Sequence, residues 1–293
     1  MAAIQIKILP LFFIIFSALN NYAQVAKSAF IDTASVSSNE IAAYKNVYDL
    51  KLKKELIISI PATALFISSL LVQPKELSQD DLLSLNASDI PAFERNTIYF
   101  DSITALKADM MSDYFNYGTF ALAFIAFFSA YENINEIPVN LALYAEGSLI
   151  YLGFTGMLKN IVGRIRPYAY NTNYSFEYRL RGEVTSSFPS GHTSSSAFNC
   201  FFTAKMIDDY LINDENKLLE TINWSLAATI PALVGYLRME AGVHFFTDVL
   251  GGYAIGAACG YFIPEIHQMK NNNVSFYPII KNNYSGLNCL VTF

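Results

Sequence analysis

Three short polar stretches carry the residues of this chain that can do chemistry. The first is Lys159-Asn160-Ile161-Val162-Gly163-Arg164-Ile165-Arg166-Pro167, a lysine followed after six residues by Arg-Pro. The second is Pro189-Ser190-Gly191-His192, after Ser186-Ser187-Phe188 and before Thr193-Ser194-Ser195-Ser196. The third holds Arg238, then His244 after five residues, then Asp248 after three more. Each sits at the end of an apolar segment. The second stretch reads as loop, tight turn and helix N-terminus. Pro189 fixes φ there, and Gly191 lets backbone approach a ligand closely. A helix N-terminus offers unpaired N–H groups and the positive end of its dipole, so it attracts anions. His192, placed there, can exchange a proton with the anion. His244 and Asp248 stand at i and i+4 and share a face at a helix start. A carboxylate bonded to one ring nitrogen would fix the tautomer and leave the other nitrogen free to attack. Lys159, Arg166 and Arg238 are costly to bury without an anion, and arginine's planar fork matches phosphate. Ser190 and the Gly191 N–H add neutral donors. Phosphate-ester cleavage needs charge on the phosphoryl oxygens, an in-line nucleophile and an acid for the leaving oxygen, and these residues can supply all three. Arg164 reads only as a positive flank of a membrane helix.

Taken together, in this order and spacing, the three stretches resemble the signature of the type 2 phosphatidic acid phosphatase superfamily, which also contains the vanadium haloperoxidases. The resemblance covers about residues 140 to 265. The chain departs from it at Leu237, where the family usually has Ser, which puts one phosphate-side hydrogen bond in doubt and not the chemistry. The resemblance implies a phosphohistidine on His244, with Asp248 orienting the ring and His192 protonating the leaving alkoxide before water hydrolyses the intermediate. It implies phosphate binding by Lys159, Arg166, Ser190, Gly191 and Arg238. It implies no metal and no cofactor, with vanadate as an inhibitor. Expected substrates are lipid phosphates or pyrophosphates of the phosphatidate, phosphatidylglycerol phosphate, undecaprenyl pyrophosphate and lipid A kinds. Two alternatives stay open. One is a vanadium-dependent haloperoxidase, with vanadate as cofactor. The other is a non-catalytic membrane protein that binds an anion.

The elements that position these residues are apolar. Of 293 residues, 53% are hydrophobic and 15% charged, with 23 Phe and 19 Tyr. Soluble domains usually carry about 25% charged residues, so the expectation is an all-α, membrane-embedded bundle of about five or six helices with its site at the helix ends. A net charge of −6 argues against nucleic acid as a partner; the partners expected are membrane lipid and a lipid phosphate substrate. Residues 1–23 read as a signal peptide, with Ile8 to Leu19 as its apolar run. Residues 24–115 read as one apolar span, Leu56 to Val72, and a polar insert, Gln73 to Asp113. The eight acidic residues of that insert read as a solvated face. Residues 116–268 read as the phosphatase-like core, and 269–293 as a tail with a small β-hairpin, Val274 to Ile280 and Leu287 to Phe293. Gly251, Gly252, Gly256 and Gly260 are small residues that let helices pack closely in lipid. Cys200 and Cys259 read as buried inert thiols. Glu146, alone in its apolar segment, reads as a buried structural carboxylate, because it lies roughly 20 Å along the helix from Lys159. His267 reads as interfacial. Tyr168 to Phe188 reads either as a headgroup filter or as a connecting loop. The expected location is a bacterial inner membrane, with the site facing the periplasm.

Overall fold

The computed structural model describes residues 47–127, 136–212, 216–269, 274–281 and 284–291. The expected signal peptide lies outside them. In chain order the elements are α1 (Leu52–Leu71), α2 (Gln79–Leu83), α3 (Ser102–Ala126), α4 (Ile137–Val162), α5 (Pro167–Tyr170), α6 (Phe176–Arg179), α7 (Gly191–Leu211), α8 (Lys217–Glu240), α9 (Phe246–His267), β1 (Val274–Lys281) and β2 (Tyr284–Val291), with short 3₁₀ turns at Ala87–Asp89 and Arg95–Ile98. Among the described residues, four helical stretches are long and apolar enough to cross a membrane: α1, α8, α9 and Ile137–Tyr170, which contains α4. Their outward faces carry large apolar side chains, such as Ile57, Leu226, Leu250 and Phe262, as a bundle solvated by lipid requires.

α7 is the central helix. It packs on α9, α8, α3 and α4. Every residue from Thr193 to Cys200 is buried, four of them hydroxyl-bearing. A helix walled in by other helices need not be apolar, and its hydroxyls bond to neighbours. Ser195 Oγ donates to Asn116 Oδ1 at 2.6 Å, and Thr155 Oγ1 and Ser194 Oγ lie 3.1 Å apart. α7 and α9 run parallel and in register. A Cβ at Gly252, Gly256 or Gly260 would collide with α7 backbone at Ser190, Ser194 and Phe198 respectively, so these glycines bring the two helix N-termini together. The six long helices alternate in direction. α1, α4 and α8 end where α3, α7 and α9 begin, and the three polar stretches meet at that end.

The polar insert differs from expectation. Its last residues belong to α3, which begins at Ser102 and crosses the expected boundary at 115/116. Of the expected span Leu56 to Val72, all but Val72, which caps the helix, lies in α1, and α1 packs along α4. The tail is an antiparallel hairpin, Val274 opposite Val291 and Lys281 opposite Tyr284. Its second strand begins three residues before the expected Leu287. At the end opposite the polar stretches, Tyr48 pairs with Gln268.

Candidate active site

Two glycines in the left-handed region set the site's backbone. Gly163 (φ 58°) terminates α4 and donates its N–H to the Lys159 carbonyl. Lys159 therefore occupies the last turn, and the chain turns back to present Arg164 and Arg166. Gly242 (φ 65°) does the same after α8; Arg238 stays in the last helical turn and His244 follows on the turn into α9. Neither position tolerates a side chain without strain. Ser190 caps α7, its Oγ accepting from the Thr193 N–H. Asp248, at N3 of α9, accepts from the Phe245 N–H at 2.7 Å, and its carbonyl accepts from the Ser190 N–H at 2.9 Å. The caps of α7 and α9 are thus tied to each other.

His244 is 1% exposed and Asp248 fully buried. His244 Nδ1 lies 2.7 Å from the Ser187 carbonyl. A carbonyl can only accept, so Nδ1 carries the proton and Nε2 carries the lone pair. The expected Asp248–His244 hydrogen bond is not formed, because Asp248 Oδ2 lies 3.9 Å from Nδ1. That oxygen accepts instead from the Ser187 hydroxyl at 2.5 Å and from the Phe245 N–H. Asp248 fixes the Ser187 segment, and the Ser187 carbonyl fixes the imidazole. Burial holds the His244 proton affinity well below the ordinary imidazole range; the charges of Arg166, Arg238 and Lys159 add to this, while the bond to Ser187 opposes it. At neutral pH the ring is uncharged.

The cations surround this ring. Arg166 donates from Nε to the Glu183 carbonyl and from Nη2 to its carboxylate, both at 2.9 Å. Arg238 Nη1 donates to Asp109 at 2.5 Å and lies 3.0 Å from Ser112 Oγ. Arg238 Nε is buried and has no partner among the described residues. Lys159 Nζ reaches only the Ser186 carbonyl, at 3.3 Å, and makes no ion pair among the described residues. A methyl group at Gly191 would come within 3.7 Å of that Nζ, so Lys159 lies beside the start of α7. His192 Nε2 lies 2.8 Å from Asp113 Oδ1. Burial first, then Arg238, brings its pKa down to about 4, against the opposing pull of Asp113 and Asp109.

Four residues here escape sequence reasoning. Asp109 and Asp113 come from the insert that reads as a solvated face; they stand at i and i+4 on α3, and their side chains meet Arg238 and His192. Glu94, from the same insert, is 2% exposed. It accepts from Arg164 Nη2 at 2.7 Å and from the Thr247 N–H and hydroxyl at 2.9 and 2.8 Å. Arg164, read as a membrane flank, instead donates to Asp248 Oδ1 at 2.5 Å and to Thr247 Oγ1 at 2.6 Å. It is the half-buried counter-charge of the fully buried Asp248. The segment spacing gave no sign of this, since Glu94 and Arg164 are seventy residues apart.

Beside the cations lies a cavity of about 320 Å³, lined by Asp109, Arg166, Tyr168, Arg181, Glu183 and Arg238 among others. A second, of about 280 Å³, adds Tyr174 and Tyr178. The Arg181 guanidinium stacks over the Tyr168 and Tyr178 rings at 4.1 and 4.3 Å. The segment Tyr168 to Phe188 therefore forms a wall beside Arg166 and Arg238.

Comparison with known proteins agrees with this geometry. Residues 139–272 match the PAP2 superfamily. The chain is similar to lipid A 4'-phosphatase of Porphyromonas gingivalis, 34% identical over 80 residues, which is 27% of this chain and 29% of that protein. It is 37% identical over 102 residues to phosphatidylglycerophosphatase B of Bacillus subtilis, covering 34% of this chain and 44% of that protein. It is 30% identical over 148 residues to a PA-phosphatase related-family protein of Dictyostelium discoideum, covering 48% and 54%. The matches thus span about a third to a half of these relatives' lengths. The helical core that brings the three polar stretches together is the part of the chain, residues 139–272, that matches the PAP2 superfamily.

Proposed function

We propose that this chain is a phosphatase that cleaves a phosphate or pyrophosphate monoester carried by a lipid, through a phosphohistidine on His244 and with no metal at the reacting centre. One observation carries the reading: the Nδ1 proton of His244 is committed to the Ser187 carbonyl, which leaves a neutral, nucleophilic Nε2 among Lys159, Arg166 and Arg238. Nε2 attacks phosphorus, and the bond from phosphorus to the lipid oxygen breaks. The three cations, with the Ser190 and Gly191 donors, neutralise charge on the phosphoryl oxygens. His192 gives its proton to the leaving oxygen, then takes one from the water that cleaves the P–N bond and releases phosphate. His192 is neutral in the free protein at pH 7, so an anionic phosphate must raise its proton affinity when it binds; the phosphate offsets the positive charge of Arg238, which disfavours the protonated ring. Asp248 acts as a positioning residue, through Ser187.

The cavity beside Arg166 and Arg238 suits a polar headgroup, and Arg181 with its tyrosine stack would meet it. The similar proteins bear the names of a lipid A phosphatase and a phosphatidylglycerophosphatase, which supports a lipid phosphate as the substrate class. We further propose that the site faces outward from a bacterial inner membrane. Lys51, Lys53 and Lys54 lie at the opposite end of the bundle, where the positive-inside tendency puts the cytoplasm.

The test is phosphate release by purified protein in excess chelator. The panel is phosphatidate, phosphatidylglycerol phosphate, undecaprenyl pyrophosphate, a lipid A phosphate and p-nitrophenyl phosphate. Release from at least one lipid, inhibited by orthovanadate as a transition-state mimic, is expected. No release from any lipid, or release that requires added Mg²⁺, overturns the reading.

A further inference from the structure

At the end of the bundle away from the reaction, three ligating side chains converge. Glu55 is in the first turn of α1, Glu146 is in the middle of α4, and His267 is the last residue of α9. One donor atom from each lies within 4.8 Å of the other two. His267 Nε2 is 3.2 Å from Glu55 Oε1 and 3.5 Å from Glu146 Oε2. Yet Nε2 makes no hydrogen bond, and Glu146 Oε2 has no partner either, although both are buried. Both residues are more than nine-tenths buried, at 1% and 4% exposure. The expectation that His267 is interfacial is therefore corrected, because it is sealed between helices.

The surroundings hold these groups in a ligating pose. His267 Nδ1 donates to the Ile263 carbonyl at 2.8 Å, so in the neutral ring the Nε2 lone pair points at the carboxylates. Such a backbone bond on the other nitrogen is what metal-bound histidines show. Ser59 Oγ donates to Glu146 Oε1 at 2.7 Å, which aims Oε2 inward. The Lys51 N–H, 3.2 Å from Glu55 Oε1, steadies that carboxylate. The nearby Lys54 Nζ donates to the Ile266 carbonyl at 2.8 Å and keeps its positive charge at the margin of the cluster.

We propose that Glu55, Glu146 and His267 bind one divalent transition-metal ion, Zn²⁺ by preference, which fastens the start of α1 and the end of α9 to the middle of α4. Charge and geometry favour the ion. Two carboxylates with a neutral imidazole balance one divalent cation, and the ion would satisfy Nε2 and Glu146 Oε2, two buried atoms that have no hydrogen bond. Zinc bonds of about 2.0–2.1 Å at tetrahedral angles put neighbouring donors about 3.3 Å apart, against the 3.2 and 3.5 Å found here. One imidazole among oxygens selects against Ca²⁺ and Mg²⁺, which take all-oxygen sets. Water would complete the fourth position. The role is structural: Glu146 stands thirteen residues before Lys159, roughly 20 Å along the helix.

The experiment uses the full chain without a polyhistidine tag, in detergent, stripped by chelator and then dialysed against Zn²⁺ alone. About one Zn²⁺ per chain is expected on the wild type, with a raised thermal midpoint. Co²⁺ in its place should give the visible absorption of a tetrahedral site. H267Q and E146Q should each lose the bound ion and the thermal shift, with unchanged far-UV circular dichroism. The wild-type stoichiometry stands even if a variant fails to fold. Wild type that binds no Zn²⁺ and does not change midpoint overturns the proposal and leaves a buried imidazolium–carboxylate triad. Retention of the ion by both variants overturns it equally. Either result is independent of phosphate release.

Discussion

His244 and His192 sit in one pocket but should fail differently. Without its nucleophile, H244A should trap no labelled phosphoenzyme with any substrate. In the proposed mechanism His192 serves only the leaving group, so H192A should lose about 10²–10⁴-fold with a lipid alkoxide and still form phosphoenzyme with p-nitrophenyl phosphate, whose leaving group needs no acid. D248N should fall between them, since it loosens Ser187 and unpairs Arg164 without removing the nucleophile. Rapid-quench trapping decides; phosphoenzyme in H244A and none in H192A with either substrate reverses the roles. The same two residues set a pH dependence of stability. Both have folded pKa values below the unfolded histidine value of about 6.5. Below that pH the unfolded chain binds more protons, so stability falls as pH falls. For His192 the loss runs from about 6.5 down to about 4, and for His244 it continues lower. The thermal midpoint should therefore drop between pH 7 and 5, and H244Q should flatten that slope; a wild-type midpoint constant over this range contradicts it. The site was legible in the sequence wherever residue type and close spacing carried it, as for Lys159, Arg166, His192, Arg238 and His244. Glu94, Arg164, Asp109 and Asp113 were not legible, because their partners come from distant segments and a surface acid looks the same as a site acid in one sequence. The Ser187 carbonyl was invisible too, since any residue could have supplied it.

At the scale of elements, hydropathy finds the helices that touch lipid. α1, α4, α8 and α9 were legible in that way. The C-terminal half of α7 was read from its apolar run, but its polar first turns were read only as a turn and helix start. Those hydroxyls are lodged among other helices, where composition says little. α3 is legible only in its second half, where the run from Tyr117 is apolar and aromatic; its first turns carry Lys107, Asp109 and Asp113, and the two acids meet Arg238 and His192. The packing of α7 on α9 rests on glycine spacing, and a matched pair of substitutions tests that. In Gly256→Ala the new methyl would sit 2.9 Å from both Ala197 Cβ and the Phe198 nitrogen, with the Ser194 carbonyl closer still. Overpacking of this kind costs about 1–3 kcal/mol, and it would separate Ser190 from Asp248. Gly118→Ala on α3 meets nothing within 4 Å and should be neutral or stabilising by about 0.5–1 kcal/mol. Denaturant unfolding in detergent, with phosphate release as a second readout, should show loss in the first variant alone. Equal stability of the two variants contradicts the close-packing account.

For the whole molecule, the open quantity is which way the bundle faces. Six long helices alternating in direction put residue 47 and residue 269 at one end and the reaction at the other. Cleavage after Ala23 would start the chain outside and turn the site inward; an outward site needs the end near Lys51 in the cytoplasm. The positive charges at the two ends are not equivalent. At the reaction end Arg164, Arg166 and Arg238 are each committed to carboxylates, and Arg95 to the Ile90 and Ser88 carbonyls. Lys51 and Lys53, together at the start of α1, are exposed to solvent or headgroups, whereas the exposed lysines of the reaction end, Lys75 and Lys107, lie singly on separate segments. Free juxtamembrane lysines orient a bundle toward the cytoplasm, and cations already paired inside the fold do so less. The prediction is therefore an outward reaction end. It is checked with two single cysteines in a C289S background, where Cys200 is buried and Cys259 partly so. Thr172→Cys lies in the exposed turn between α5 and α6 at the reaction end. Leu218→Cys lies at the start of α8, where Leu218 is 71% exposed. In intact cells with a permeabilised outer membrane, an impermeant maleimide should label the first and leave the second until the inner membrane is broken. The opposite pattern would put the site in the cytoplasm and make the cleaved signal the element that sets the topology.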